Sequence, residues 1–308
     1  MMKKIVKSLF DKIVPNEVRL LLPENNSRIN NATKELSSMG FNIVDANDFT
    51  DCRNQFLEHI QKLKFSKNWS ENQLKEYLEN PLNFAMLILK FGYADALIAG
   101  ASNTTSDIAR SGLRLIGIKK NSTCLSSSFL MVSPEQSRFF SYADCAIIPE
   151  PSEHQLSDIA YDTSINHRLI TGEVPKVAFL SFSTNSSADH YRVDKVKRAI
   201  DLFSKKYSSI QHEKVELQFD SAICPDIAVS KYTKSTLKGS ANVLIYPNLD
   251  AGNIAYKITE RLGGFSAIGP LLQGFNKPVH DLSRGCSVSD IIDVSIIAAY
   301  QGSRNADI

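Results

Sequence analysis

Five short apolar runs recur along the chain, at residues 18–22, 42–44, 96–99, 177–182 and 242–246. They are continuous rather than alternating with polar positions, the mark of strands buried on both faces, as in parallel sheets. Stretches with helical spacing separate them. Residues 70–78 form one, with Ser70 and Gln73 placed as a capping box. Residues 81–89 form another, opening on Pro81 and followed by Gly92. Across 189–206, Val193, Val196, Ala199, Ile200 and Phe203 fall on one helical face. Near the C-terminus, Ser287 and Asp290 stand as a capping box before Ile291, Ile292, Val294, Ile296 and Ile297, which predicts a largely buried final helix. At the other end Lys7, Asp11 and Lys12 interrupt any apolar core, so the N-terminus reads as a first helix and not an export signal. Strands alternating with helices predict an α/β architecture with mainly parallel sheets.

Pro149 and Pro151 are incompatible with a helix interior or a central strand and mark the best internal boundary. A second crossing is expected at Gly269 and Pro270, with the final helix rejoining the first half. The expected division is 1–149 plus 271–308 as one α/β lobe and 150–270 as the other, with a cleft between them. Residues 302–308 are expected to form a frayed tail.

Composition narrows the class. Of 308 residues, 43% are hydrophobic and 22% charged, the balance of an ordinary soluble chain. A net charge of +2 points away from nucleic acid and acidic membrane surfaces. No run of about 18 apolar residues suggests a membrane span. The five cysteines are scattered and odd in number, with no zinc-type spacing, so free thiols in a reducing cytoplasm are expected.

Candidate chemistry is densest just before the final helix. Ser283, Arg284 and Asp290 place a hydroxyl, a guanidinium and a carboxylate within one short stretch. Guanidinium is shaped to hold phosphate through paired hydrogen bonds, and a helix start favours anions. Asp290 also fits a plain capping role. A second segment follows the strand at 96–99: Gly100, then small polar residues through Thr104 and Thr105 to Arg110, the pattern of a ligand loop at a strand end. Capping by Thr105 or Ser106 is the structural alternative. Ser126 and Ser127 lie in a serine cluster beside an apolar run, and Asn253 and Lys257 lie at another strand-to-helix junction. His280 reads as a satisfied, partly buried histidine and Cys145 as a core or near-site thiol. No GxGxxG, P-loop or Gly-x-Ser-x-Gly pattern is present.

Together these segments resemble the phosphate acetyltransferase and butyryltransferase family. The likeness is greatest over 238–257 and continues through 261–264, 267–270, 272–274, 277–279 and 281–290; residues 82–131 and 177–184 also fit. The resemblance implies two α/β/α lobes of the isocitrate/isopropylmalate-dehydrogenase type, a homodimer, and an active site in the inter-lobe cleft. It implies interconversion of acetyl-CoA and phosphate with CoA and acetyl phosphate, with CoA as a substrate, no tightly bound cofactor and no metal. By the same resemblance Asp290 deprotonates the CoA thiol, Arg284 holds the phosphoryl end and the developing charge, and Ser283 assists. Thr104, Thr105, Arg110, Ser126, Ser127, Asn253 and Lys257 are the expected substrate contacts. The chain departs from the family pattern at Asn25, Gln61, Asn103 and Asn185, positions that bear on CoA affinity and acyl preference. Butyryl or another short acyl group, and a non-catalytic acetyl-CoA-sensing module, are the alternatives.

Overall fold

The computed structural model describes residues 2–304. The chain first forms α1 (Lys4–Phe10), β1 (Arg19–Leu21), α2 (Ser27–Ser38), β2 (Asn42–Ile43), α3 (Arg53–Gln61), α4 (Glu71–Glu79), α5 (Pro81–Lys90), β3 (Ala96–Ala99) and α6 (Thr105–Leu115). It continues through β4 (Ser126–Val132), β5 (Phe139–Ala143), α7 (Glu153–Thr171), β6 (Lys176–Phe179), α8 (Tyr191–Lys206), β7 (Gln211–His212), α9 (Phe219–Ile223), α10 (Pro225–Lys231), β8 (Val243–Ile245), α11 (Leu249–Arg261) and β9 (Ser266–Gln273). It ends with β10 (Val279–Asp281) and α12 (Val288–Ser303). The local signals act where expected. Ser70 and Gln73 close a capping box on α4. The Asn80 side chain caps α5 ahead of Pro81, and Gly92 takes a φ of +81° just past that helix, a conformation natural to glycine.

Two compact units result. One runs to Lys119 and resumes at Phe275; the other is Lys120–Gly274. The crossings therefore differ from the expected ones at 149 and 270. Strands β4 and β5 hydrogen-bond to β9 and β8 and so belong to the second unit's sheet. Pro149 and Pro151 sit in the loop before α7, and Gly269 and Pro270 lie inside β9. Pro149 and Pro151 mark a break in regular structure but not which sheet the flanking strands join, and Pro270 lies within an unbroken strand. Of the expected tail, Gly302 and Ser303 remain in α12, and residues 305–308 lie outside the described residues.

The first unit's sheet has the order β10-β3-β1-β2, all parallel. All four residues of β3 are buried. Helices α1 and α2 each pack against α12, α3 to α6 form a second group, and both groups reach the sheet. In α12 every residue from Ile291 to Gln301 is buried. Burying each large aliphatic side chain contributes about 1.5–3 kcal/mol, so α12 is anchored far more firmly than its capping alone would achieve.

The second unit's sheet has the order β7-β6-β8-β5-β4-β9. Its β6, β7, β8 and β5 pair in parallel, and β4 runs antiparallel to β5 and β9. Side chains divide by the two-residue period of a strand. Val177, Phe179, Val243 and Ile245 enter one apolar cluster, while Ala178, Leu180 and Leu244 enter another. Both faces are covered, which explains the uninterrupted apolar runs. Among the described residues no helix is long and apolar enough to cross a membrane.

Candidate active site

Three neighbouring parallel strands, β1, β3 and β10, end on the same edge of the first unit's sheet. The loops that follow them must converge, as loops do at the carboxyl ends of parallel strands. After β3 comes Gly100, with a φ of +118°. A Cβ here would lie 2.2 Å from Asp281 Oδ1 and 2.5 Å from the Leu282 nitrogen, so only glycine fits. Glu24, just past β1, is buried and fills the next turn of this loop. Its carboxylate accepts the backbone N–H groups of Gly100, Ala101, Ser102 and Asn103 at 2.7–3.0 Å, and the Asn103 side-chain amide at 2.7 Å. A carboxylate satisfied by this many donors holds the loop rigidly.

Arg28 ties the third loop in. Its guanidinium donates to the carbonyls of Arg284 at 2.7 Å, Cys286 at 2.8 Å and Ala101 at 3.3 Å. The turn Ser283–Cys286 is closed by the Cys286 N–H on the Ser283 carbonyl at 2.9 Å, leaving the Ser283 and Arg284 side chains exposed. Among the described residues the Arg284 guanidinium has no hydrogen-bond partner.

Asp290 is the N3 residue of α12. Its backbone N–H donates to Ser287 Oγ at 3.2 Å, and its Oδ2 accepts the Ser287 N–H at 2.9 Å and the Ser287 hydroxyl at 2.8 Å. Both capping bonds fall on Oδ2; among the described residues Oδ1 accepts none. One oxygen supports the helix and the other is open to a proton. The buried Cys286 thiol nearby is pushed up by burial, with Asp290 adding to the rise and Arg28 opposing it.

Thr104, not Thr105 or Ser106, caps α6, accepting the Asp107 N–H and donating to its carboxylate at 2.7 Å. Thr105 donates to Asp281 Oδ2. Burial pushes Asp281 up to about 6, with the Thr105 bond working against the rise. Its neighbour His280 is fully buried, bonds Gln301, and is driven down to about 4 by burial, consistent with a satisfied core histidine. Arg110 is exposed on α6 and pairs with Asp107 at 3.0 Å.

The remaining expected contacts belong to the second unit. Ser126 and Ser127 are fully buried in β4. Ser126 Oγ accepts from the Gln273 amide at 3.0 Å, and the Ser127 hydroxyl donates to Asp144. Both are thus hydrogen-bonded inside the unit and act as supports, β4 lying between β5 and β9 in the sheet. Asp144 also accepts the N–H groups of Ala146, Ile147 and Ile148, fixing the loop after β5. Cys145 is a core thiol, raised well above its ordinary value by burial. Asn253 caps nothing, since Asn248 caps α11. Its amide donates to the Cys145 carbonyl at 2.9 Å and its oxygen accepts from Lys257 at 2.7 Å. The side chains sequence reasoning passed over are Glu24, Arg28, Asp144 and Asp281. Three of the four are carboxylates at the last residue of a buried strand or within three residues of its end, and that placement was the available signal.

A model of the phosphate acetyl/butaryl transferase family matches residues 4–299. The phosphate acetyltransferase of Acetivibrio thermocellus is 37% identical over 287 residues, covering 92% of this chain and 86% of that protein. The phosphate acetyltransferase of Staphylococcus aureus is 43% identical over 235 residues, covering 75% and 71%. Among solved structures, a phosphotransacetylase from Streptococcus pyogenes superposes with a TM-score of 0.86 at 33% identity, covering 97% of this chain and 98% of that one.

Proposed function

The chain belongs to the phosphate acetyl/butaryl transferase family, and we propose that it is a phosphate acetyltransferase: acetyl-CoA and phosphate in exchange for CoA and acetyl phosphate. The observation that carries the mechanism is the divided role of Asp290, whose Oδ2 caps α12 while Oδ1 is open. In the direction of thioester synthesis Oδ1 takes the proton of the CoA thiol. A thiol with a pKa near 8.5 is mostly protonated at neutral pH, so a placed base speeds the step. The thiolate sulfur attacks the carbonyl carbon of acetyl phosphate. The carbonyl π electrons move to oxygen, return, and expel phosphate as the carbon–oxygen bond breaks. Arg284 stabilises the oxyanion and the departing phosphate, and Ser283 donates a hydrogen bond to the same group. Glu24, Arg28 and Asp281 hold these loops in place.

Arg110, Thr104, Asn253 and Lys257 are the proposed substrate contacts, and replacing Arg110 or Lys257 with Ala should raise the KM for acetyl-CoA. The enzyme acts in the cytoplasm as a homodimer. Exposed Ile254 and Ile258 on α11 and Leu262 just past its end, spaced four apart, suit a second copy, and light scattering tests this. Phosphate-dependent loss of the thioester absorbance of acetyl-CoA, with arsenate able to replace phosphate, tests the reaction. No turnover with acetyl-, propionyl- or butyryl-CoA would refute it, and the same panel reads acyl preference.

A further inference from the structure

Helix α12 is buried from Ile291 to Gln301 and mostly apolar, yet Asp293 places a carboxylate in that stretch. Asp293 is 1% exposed, and a buried charge needs a partner. Among the described residues that partner is Lys3, at the entry to α1, whose ammonium donates to Asp293 Oδ2. The other oxygen, Oδ1, accepts no hydrogen bond. The Lys3 side chain is itself only 18% exposed, and the helix it opens packs on α12. Charges on the other elements against α12 are engaged elsewhere or exposed. Arg28 of α2 grips the Ser283–Cys286 turn, and Lys34 and Glu35 are exposed. Arg19 of β1 pairs with Asp95, and His280 and Asp281 of β10 bond Gln301 and Thr105. On α1, Lys4 is exposed and Lys7 pairs with Asp11. The charge that does reach Asp293 is Asp290, three residues earlier, a spacing that puts two side chains on one helix face. Burial pushes Asp293 up, Lys3 works against the rise, and Asp290 adds to it.

A buried ion pair adds little net stability over apolar side chains of the same shape, but removing one partner strands the other's charge. What the pair fixes is register, because any slide of α1 along α12 separates the two charges. The contact so fixed lies one helical turn from Asp290. We propose, resting on the transferase reading above, that Lys3 is a positioning residue for the reaction: by answering Asp293 it holds α1 on α12 and keeps the first turn of α12, with the open oxygen of Asp290, in its working geometry. Lys3 acts through Asp293 and not on the substrate.

Steady-state kinetics of the full chain with acetyl-CoA and phosphate, at pH 5 and pH 8, test it. Lys3→Met should lower kcat about tenfold at pH 8, within the scale of a small displacement of a catalytic group, with both KM values unchanged. The loss should shrink toward pH 5, where the stranded Asp293 takes up a proton and no longer needs a partner. Lys3→Arg should retain the parent's kcat. Lys3→Met combined with Asp293→Asn leaves no charge to titrate, so its kcat should lie below the parent's by one factor at both pH values. A kcat for Lys3→Met equal to the parent's at pH 8, or the same deficit at both pH values, overturns the proposal. If Lys3→Met does not fold, the double variant decides, and a parental kcat in it overturns the proposal. Hydrogen exchange gives a readout without turnover. The Asp290 and Ile291 amides, both bonded to Ser287, should exchange about tenfold faster in Lys3→Met than in the parent at pH 7. Unchanged exchange refutes the positioning role whether or not the parent turns over, whereas faster exchange with an inactive parent defeats only the proposed reaction.

Discussion

Arg284 and Asp290 sit six positions apart yet are held by different means. The Arg284 side chain is exposed on a turn whose backbone is gripped by Arg28, so its truncation leaves the turn's own hydrogen bonds in place. Arg284→Ala should lower kcat by about 100-fold, the scale of losing one donor to a developing oxyanion, with little change in thermal midpoint. Asp290→Asn is the sharper case. Asparagine retains an oxygen able to accept the Ser287 bonds but cannot take a thiol proton. Turnover should therefore fall by about 100-fold or more, the scale of general-base catalysis, while the melting temperature stays close to the parent's. Retained turnover with a lower melting temperature would reduce Asp290 to a cap.

Helix α12 carries the chemistry at its first turn and an apolar anchor along the rest of its length. The anchor is worth several times the cap, so the helix survives loss of the cap while its first turn loosens. Ser287→Ala should cost about 1 kcal/mol and lower the melting temperature by about 2–4 °C, read by calorimetry. Activity should fall with it, because Asp290 then loses the hydroxyl that orients its Oδ2. Strand β10 acts as an element in the same way. Its last residue, Asp281, is fixed by Thr105 on α6, and the turn bearing Ser283 begins two residues later. The close approach at Gly100 locks β3 against that point.

For the stability of the molecule, β10 contributes two adjacent groups whose titrations oppose each other. His280 is held near 4, below its ordinary 6.5, so its neutral burial penalises folding as pH falls from 6.5 toward 4. Asp281 is held near 6, above its ordinary 3.8, so its charge penalises folding as pH rises from 3.8 toward 6. Each effect is on the order of 3 kcal/mol, and they largely cancel over the shared range. Substitution exposes each slope. Relative to the parent, Asp281→Asn should gain stability as pH rises from 4 to 6, and His280→Gln should gain as pH falls from 6.5 to 4. Urea unfolding at pH 4.5 and 6.5 measures both. Parallel slopes for parent and variants would mean that neither group titrates with folding.

The apolar runs at 96–99, 177–182 and 242–246, the capping boxes at Ser70 and Ser287, and the Ser283–Asp290 motif were all legible before any fold was known. Each is a local pattern, set by the period of a strand, by the first turn of a helix, or by residue types within a few positions. The ownership of β4 and β5, the burial of Ser126 and Ser127, and the roles of Glu24, Arg28 and Asp281 were not legible. Glu24 meets its loop 76 positions away and Arg28 meets the Ser283–Cys286 turn 256 positions away. Such contacts exist only because the strand order β10-β3-β1 places three distant loops on one sheet edge. Strand order follows from how the helices bury both faces of the sheet together, a global choice that no window of neighbouring residues encodes.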